Sequence, residues 1–280
     1  MKKAAYALFI ILITGNFTIS HAAIKVTPTI LELNTNNVRN NYLTTSFDVQ
    51  GNKNETIRFK VYSEYFKISQ TGTMDIYENL DEEDSLIKNV RYVPNEFTLQ
   101  NGKPQKVRLT ITNLKGLPDG ESRMVLFLED VAAKELFLPS GQRDVQTKLL
   151  IKTRVGIPVY VDKGHFVKCA KIDTLNIEKN KNEIKAALKI ISEGNSKVRY
   201  SGKAQIIKDK KLIKEYPIKS NVIGSNSILY TNEEIPIENI TESGEYTIRL
   251  ILNYSDEKGK LKNLIKENKF TIENTQKPLI

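Results

Sequence analysis

The feature that most limits what this chain can fold into is its alternation. Ile24-Lys25-Val26-Thr27, Phe47-Asp48-Val49, Ile57-Arg58-Phe59-Lys60-Val61-Tyr62 and Val107-Arg108-Leu109-Thr110-Ile111 exchange apolar and polar residues with a period of two. Successive side chains of an extended strand point to opposite faces, so such a segment buries one face and wets the other; a helix needs a period of about 3.6. Phe97-Thr98-Leu99 and the apolar run Met124 to Leu128 continue the series. Gly51-Asn52, Asn101-Gly102, Pro118-Asp119-Gly120 and Pro139-Ser140-Gly141 punctuate it with turn residues. Short strands at this spacing imply an antiparallel sandwich.

The stretch Gln146 to Val161 is longer, rich in β-branched residues, and ends at Asp162-Lys163-Gly164, which reads as a domain boundary. Strands are expected again at His165 to Ala170, Ile184 to Ile191, Lys203 to Ile207 and Ile228 to Thr231. A final hairpin joins Gly244 to Tyr254 with Lys269 to Ile272 across Asp256-Glu257-Lys258-Gly259. Ala186-Ala187-Leu188 has helical composition, but its β-branched neighbours favour strand. The fold class is therefore all-β, with two tandem β-sandwich domains at 23–161 and 162–275 and a loose tail at 276–280.

Ahead of the first strand, Lys2 and Lys3 precede an apolar run from Ala4 to Ile13 and the small-residue site Ser20-His21-Ala22. That order is a cleavable signal peptide, 1–22, with cleavage after Ala22 preferred and Ala23 second. The apolar run is too short to span a bilayer, and no integral membrane segment is expected elsewhere. No Cys follows the run to carry a lipid. Export without disulfides, since Cys169 is the one Cys, leaves stability to core burial. That combination fits a bacterial periplasm.

The formal charge is +9 and is unevenly spread: from Asp162 onward there are 22 Lys and Arg against 16 Asp and Glu. The lysines lie along alternating strands, the pattern of a solvated face, so no nucleic-acid partner is expected. Catalysis has little to work with. His165 and Cys169, four residues apart on one face of an expected strand, are too distant for a nucleophile and base. No further Cys or His completes a zinc site. No G-x-S-x-G, Walker loop or H-E-x-x-H occurs, and no carboxylate pair stands out. The acidic run Asp81-Glu82-Glu83-Asp84 lacks the spacing and Gly of a calcium loop, so Gly72 to Asn89 reads as a solvated loop. The chain reads as a non-enzyme with no cofactor, no metal and no catalytic residue.

The segment Val90 to Asp130 carries a more specific pattern. Arg91, Pro94, Phe97, Leu99, Gly102, Gln105, Val107, Arg108, Leu117, Pro118, Glu121 and Ser122 follow one another in an order that resembles the first domain of the periplasmic pilus-assembly chaperones of the chaperone–usher pathway. Glu121 and Ser122 lie one place closer to Pro118 than in that family. The opening strand IKVTPTILEL and the long strand ending RVGIPVYV are similar as well, so the resemblance covers roughly 24–161. Taken by themselves, Arg91, Pro94, Phe97, Gly102 and Gln105 read mainly as core and turn residues.

The resemblance implies a chaperone with two immunoglobulin-like domains around a cleft. It would lend its long strand to an incomplete subunit sandwich, with a pilin-like or other exported β-rich subunit as partner and an outer-membrane usher as a further one. Backbone bonds then give affinity and alternate apolar side chains give specificity. Leu149, Ile151, Thr153 and Val155 share one face of the strand; Lys148, Leu150, Lys152 and Arg154 share the other. Two orientations stay open: Leu149 and Ile151 face a partner, or they fill their own domain's core. The family also holds a subunit's terminal carboxylate with two basic residues, and the aligned positions here are Ile30 and Gly156. Lys152, Arg154 or Lys163 would have to stand in, which marks the chain as a divergent relative. A structural or adhesive envelope protein on the same scaffold is the competing reading.

Overall fold

In the computed structural model, residues 24–78, 82–139, 146–180, 182–237, 240 and 242–273 are described. The expected signal peptide at 1–22 and tail at 276–280 lie outside them. The period-two segments of the first half become β1 (Ile24–Thr27), β2 (Leu31–Asn34), β3 (Tyr42–Gly51), β4 (Ile57–Ile68), β5 (Met74–Tyr77), β6 (Val90–Val93), β7 (Glu96–Leu99), β8 (Gln105–Thr112), β9 (Gly120–Asp130), β10 (Lys134–Pro139), β11 (Gln146–Ile151) and β12 (Arg154–Lys163). One sheet has the order β1-β3-β8-β6. The facing one runs β2-β12-β9-β4-β5, with β7 beside β4. Their inward rows, among them Phe47, Val49, Phe59, Val61, Val107, Leu109, Leu126, Ile157 and Val159, form one buried core.

The second half repeats the plan with β13 (Ala170–Lys179), β14 (Glu183–Ser192), β15 (Val198–Lys208), β16 (Lys211–Ile223), β17 (Ile228–Pro236), β18 (Gly244–Ser255) and β19 (Leu261–Ile272). Sheets β13-β14-β17 and β16-β15-β18-β19 enclose a separate core that runs from Ala170 to Phe270. Ala186 to Leu188 lie in β14, so the strand reading holds there. The chain is two tandem β-sandwiches.

Three local expectations need correction. The long strand is interrupted at Lys152 and Thr153, which separate β11 from β12. His165 to Ala170 is a connector, and strand begins only at Ala170; His165 is exposed and Cys169 half-buried, so the two never share a strand face. The acidic stretch is more than a solvated loop. It contributes β5, Glu82 pairs with Lys67 at 2.7 Å, and Leu86 is fully buried. Asp84 accepts from the Tyr65 hydroxyl at 2.7 Å and from Arg123 at 2.8 Å.

Charges join the two sandwiches. The Glu121 carboxylate has no exposed surface and accepts from the Lys197 backbone N–H at 3.0 Å and from its ammonium at 3.2 Å. That ammonium lies 3.7 Å from the centre of the Tyr160 ring. Asp162 accepts from the Ser196 hydroxyl at 2.7 Å and pairs with Lys168 at 3.0 Å. Arg123 also donates to Ser225 at 2.9 Å, and the Tyr230 N–H donates to the Gln70 carbonyl at 2.7 Å.

Breaking a buried pair leaves one charge desolvated without compensation. Glu121→Ala should therefore destabilise the protein by about 3–5 kcal/mol in urea unfolding, as expected when one partner of a buried pair is removed. A loss below about 1 kcal/mol, the range of exposed pairs, would mean that water reaches the pair.

Candidate functional site: an unpaired strand edge

The strand β12 has two different edges. The Thr153 carbonyl accepts from the Asp130 N–H at 2.9 Å, and the Asp162 carbonyl accepts from the Thr35 N–H at 3.0 Å. Backbone groups alternate sides along a strand. Odd-numbered residues of β12 therefore bond to β9, and even-numbered ones face the opposite edge. There β2 runs parallel to it from Val159 to Asp162. At Arg154 and Gly156 no strand lies alongside among the described residues. Pro158, which has no N–H to leave unpaired, sits between the two regions, as proline does at sheet edges.

Below Arg154 the hairpin leaves the sandwich. Among the described residues β11 pairs only with β10 and β12 pairs with β9, so β9-β10 and β11-β12 form one long hairpin whose far half is a two-stranded ribbon. Two strands alone bury little apolar surface and are marginal in water. Leu149, Leu150 and Ile151 are 43%, 59% and 44% exposed. This settles their orientation: they do not fill the domain core. Val155 does pack against that core, and Thr153 is exposed at the interruption. The expected face is thus divided between a buried end at Val155 and an open end at Leu149 and Ile151.

Two seams of the second sandwich are bridged by side chains. In the second sandwich Lys266 and Asn268 of β19 donate to the Asp173 and Leu175 carbonyls of β13, at 3.1 and 2.8 Å. Lys179 returns a bond to the Thr271 carbonyl at 2.7 Å. At the opposite seam the Tyr216 hydroxyl donates to the Pro236 carbonyl.

The outer face beside the open edge carries an apolar cluster of Phe66, Val125, Phe127 and Tyr160, with Ile30, Tyr62 and Ile76 partly buried against it. The Arg154 guanidinium carbon lies 4.1 Å from the centre of the Phe127 ring, and its Nη1 donates to the Tyr62 hydroxyl at 3.3 Å. Tyr62 in turn donates to Glu129 at 2.7 Å, which also accepts from Lys152 at 2.6 Å. The Lys152 and Tyr62 hydrogen bonds hold Glu129 below the usual carboxylate range. Burial and the Glu129 bond raise the Tyr62 phenol. Lys152 and Arg154 therefore lie near the edge but are already engaged. Lys163 is further off, held by the Leu117 carbonyl at 2.8 Å and Asp119 at 3.0 Å.

Residues of the Val90 to Asp130 pattern do not gather at the edge. Phe97 is buried 5.8 Å from Phe59, ring centre to ring centre. Asn101 and Gly102 turn the chain with φ of 55° and 66°. Pro94 follows β6, Arg91 is exposed on that strand, and the Gln105 amide donates to the Lys106 carbonyl at 2.8 Å. Sequence reasoning missed the basic residues of the second sandwich. Lys168, Lys197 and Arg199, with Glu32 and Tyr200, line a cavity of about 360 Å³. Burial works against the Glu32 carboxylate, but Lys197 and Arg199, then Lys168, hold it below its ordinary range. Ser196-Lys197-Val198-Arg199 alternates like any solvated strand, so no sequence signal marks it. No group of three or more His, Cys, Asp or Glu able to hold a metal occurs among the described residues, nor any helix long and apolar enough to cross a membrane.

No family model matches the chain, and no curated protein sequence does. Solved structures of similar fold include the class 5 fimbriae chaperone CfaA, at 16% identity over 88% of this chain and 98% of that one, TM-score 0.42. The Pseudomonas aeruginosa CupB2 chaperone is similar at 9% identity over 86% and 99%, TM-score 0.40. The E. coli chaperone DraB is similar at 12% identity over 89% and 97%, TM-score 0.39.

Exposure of the ribbon has a thermodynamic signature. Leu149→Thr and Ile151→Thr should each change unfolding free energy by less than about 0.5 kcal/mol, as surface substitutions do. Ile157→Ala, at a fully buried position, should cost about 2–5 kcal/mol. Equal costs at the three positions in urea titrations would show that the ribbon is packed.

Proposed function

We propose that this chain is a periplasmic chaperone-like protein that holds an exported, β-rich subunit by adding its β11–β12 edge to the subunit's incomplete sandwich. The observation that carries the reading is the exposure of Leu149, Leu150 and Ile151 on a ribbon with an unpaired outer edge. Exposed apolar edges template aggregation, and soluble proteins blunt them with charge, proline or cover. Here the backbone groups of Arg154 and Gly156 are open, and the apolar row continues outward from a filled core. A partner strand would satisfy those groups and bury the remaining surface of Leu149 and Ile151, worth about 1 kcal/mol for each side chain since each is already more than half buried. Thr153 and Val155 would set where the row passes from partner to core. Lys152 and Arg154 would flank the added strand. A pilin-like subunit is the proposed partner, with an outer-membrane usher as the site of delivery, after export directed by residues 1–22.

The test is capture from a periplasmic extract with the mature chain. The wild type should retain a small β-rich protein. The Leu149→Asp/Ile151→Asp variant should lose it while its melting temperature stays within a few degrees. Retention of that partner by the double variant would overturn strand addition.

A further inference from the structure

The open edge ends at a place where side chains, not backbone, decide what fits. Across the sheet, Gly156 lies opposite Phe127, and Phe127 opposite Tyr62. The row is complete except at its outermost member, which has no side chain. A Cβ on Gly156 would stand 3.0 Å from Phe127 Cε1 and 3.1 Å from Val125 Cγ2. The ring and the methyl group therefore crowd the space directly above the glycine. Both belong to the outer apolar cluster.

Two walls bound this spot. Arg154, two residues back along the strand, has its guanidinium over the Phe127 ring. Ahead, Leu31 aligns with Val159, so Ile30 comes level with Pro158 and occupies the edge there, partly buried on the same cluster. A strand added along Arg154 and Gly156 meets Ile30 and goes no further.

We infer that the incoming strand places a bulky apolar side chain opposite Gly156, seated on Phe127 between Ile30 and Arg154. This rests on the strand-addition reading and names the chemistry of its partner. Directly opposed residues in a sheet have Cβ atoms about 4.5–5.5 Å apart, and aromatic or long side chains reach further. With no side chain on Gly156, such a residue leans across the glycine onto the ring, the arrangement by which aromatic neighbours stabilise edge glycines. The seat itself is apolar. Gly156, Phe127, Val125 and Ile30 offer no cation. Of the nearest ones, Lys152 is paired with Glu129 at 2.6 Å, and Arg154 lies over the ring with one N–H donated to the Tyr62 hydroxyl. An anion seated on the ring would exchange its water for apolar surface, with the Arg154 guanidinium alone beside it, whereas an apolar side chain is buried there without that cost.

The experiment uses the mature chain and fluorescein-labelled peptides of twelve residues, alternating Val and Ser, with a central Phe, Ala or Asp. Each is made as the C-terminal acid and as the amide, and binding is read by anisotropy. The Phe peptide should bind at least tenfold more tightly than the Ala peptide, and the Asp peptide more weakly still. Acid and amide should agree within twofold. Gly156→Leu, which fills the seat, should erase the advantage of Phe over Ala. Ile30→Asp tests the same seat from the other wall should Gly156→Leu fail to fold. Equal affinity for Phe and Ala, or a tenfold preference for acid over amide, overturns the apolar seat and leaves strand addition standing. If no peptide binds the wild type more tightly than it binds Leu149→Asp/Ile151→Asp, strand addition itself fails.

Discussion

A chain built from strands must answer for every sheet edge, because each edge presents N–H and C=O groups that cost free energy when left without partners away from water. That requirement organises the molecule. The second sandwich meets it with side chains: Lys266 and Asn268 reach from β19 to the carbonyls of β13, and Tyr216 reaches β17. In the first sandwich β2 covers the upper part of β12. The cover stops at Pro158, and from there to Gln146 the edge has no strand beside it among the described residues.

The junction chemistry keeps that edge in a defined setting. Glu121 and Asp162 lie at the ends of β9 and β12 that are joined to the second sandwich, while the open edge is at the other end of the same two strands. Lys197 is buried among Glu121, Tyr160 and the nearby Glu32. Tyr160 therefore belongs both to the junction and to the apolar cluster beside the edge.

Much of this was legible in the residues, and the exceptions have physical causes. Period-two alternation located most strands, and Asn101-Gly102 forms the turn its residue types favour. The interruption at Lys152 and Thr153 was hidden because those residues preserve the alternation. The connector from His165 to Ala170 resembled a strand because Phe166, Lys168 and Ala170 are compatible with one, whereas its actual task is to carry the chain between cores. The acidic stretch looked solvated because Lys67, Tyr65 and Arg123, its partners, lie elsewhere in the chain. The Glu121–Lys197 pair spans 76 residues and has no local signature. Periodicity also placed Leu149 and Ile151 on the row of Ile157 and Val159. It had no means of marking where the core beneath that row ends.

The parallel placement of β2 has a consequence for alignment. A strand sliding along an alternating edge by two residues keeps all its apolar side chains on the correct face, so the face pattern tolerates every even displacement. For an added strand of the kind proposed, Ile30 would remove that degeneracy: it would be a mechanical stop at the head of the edge, from which positions along β12 and β11 are counted as on a ruler.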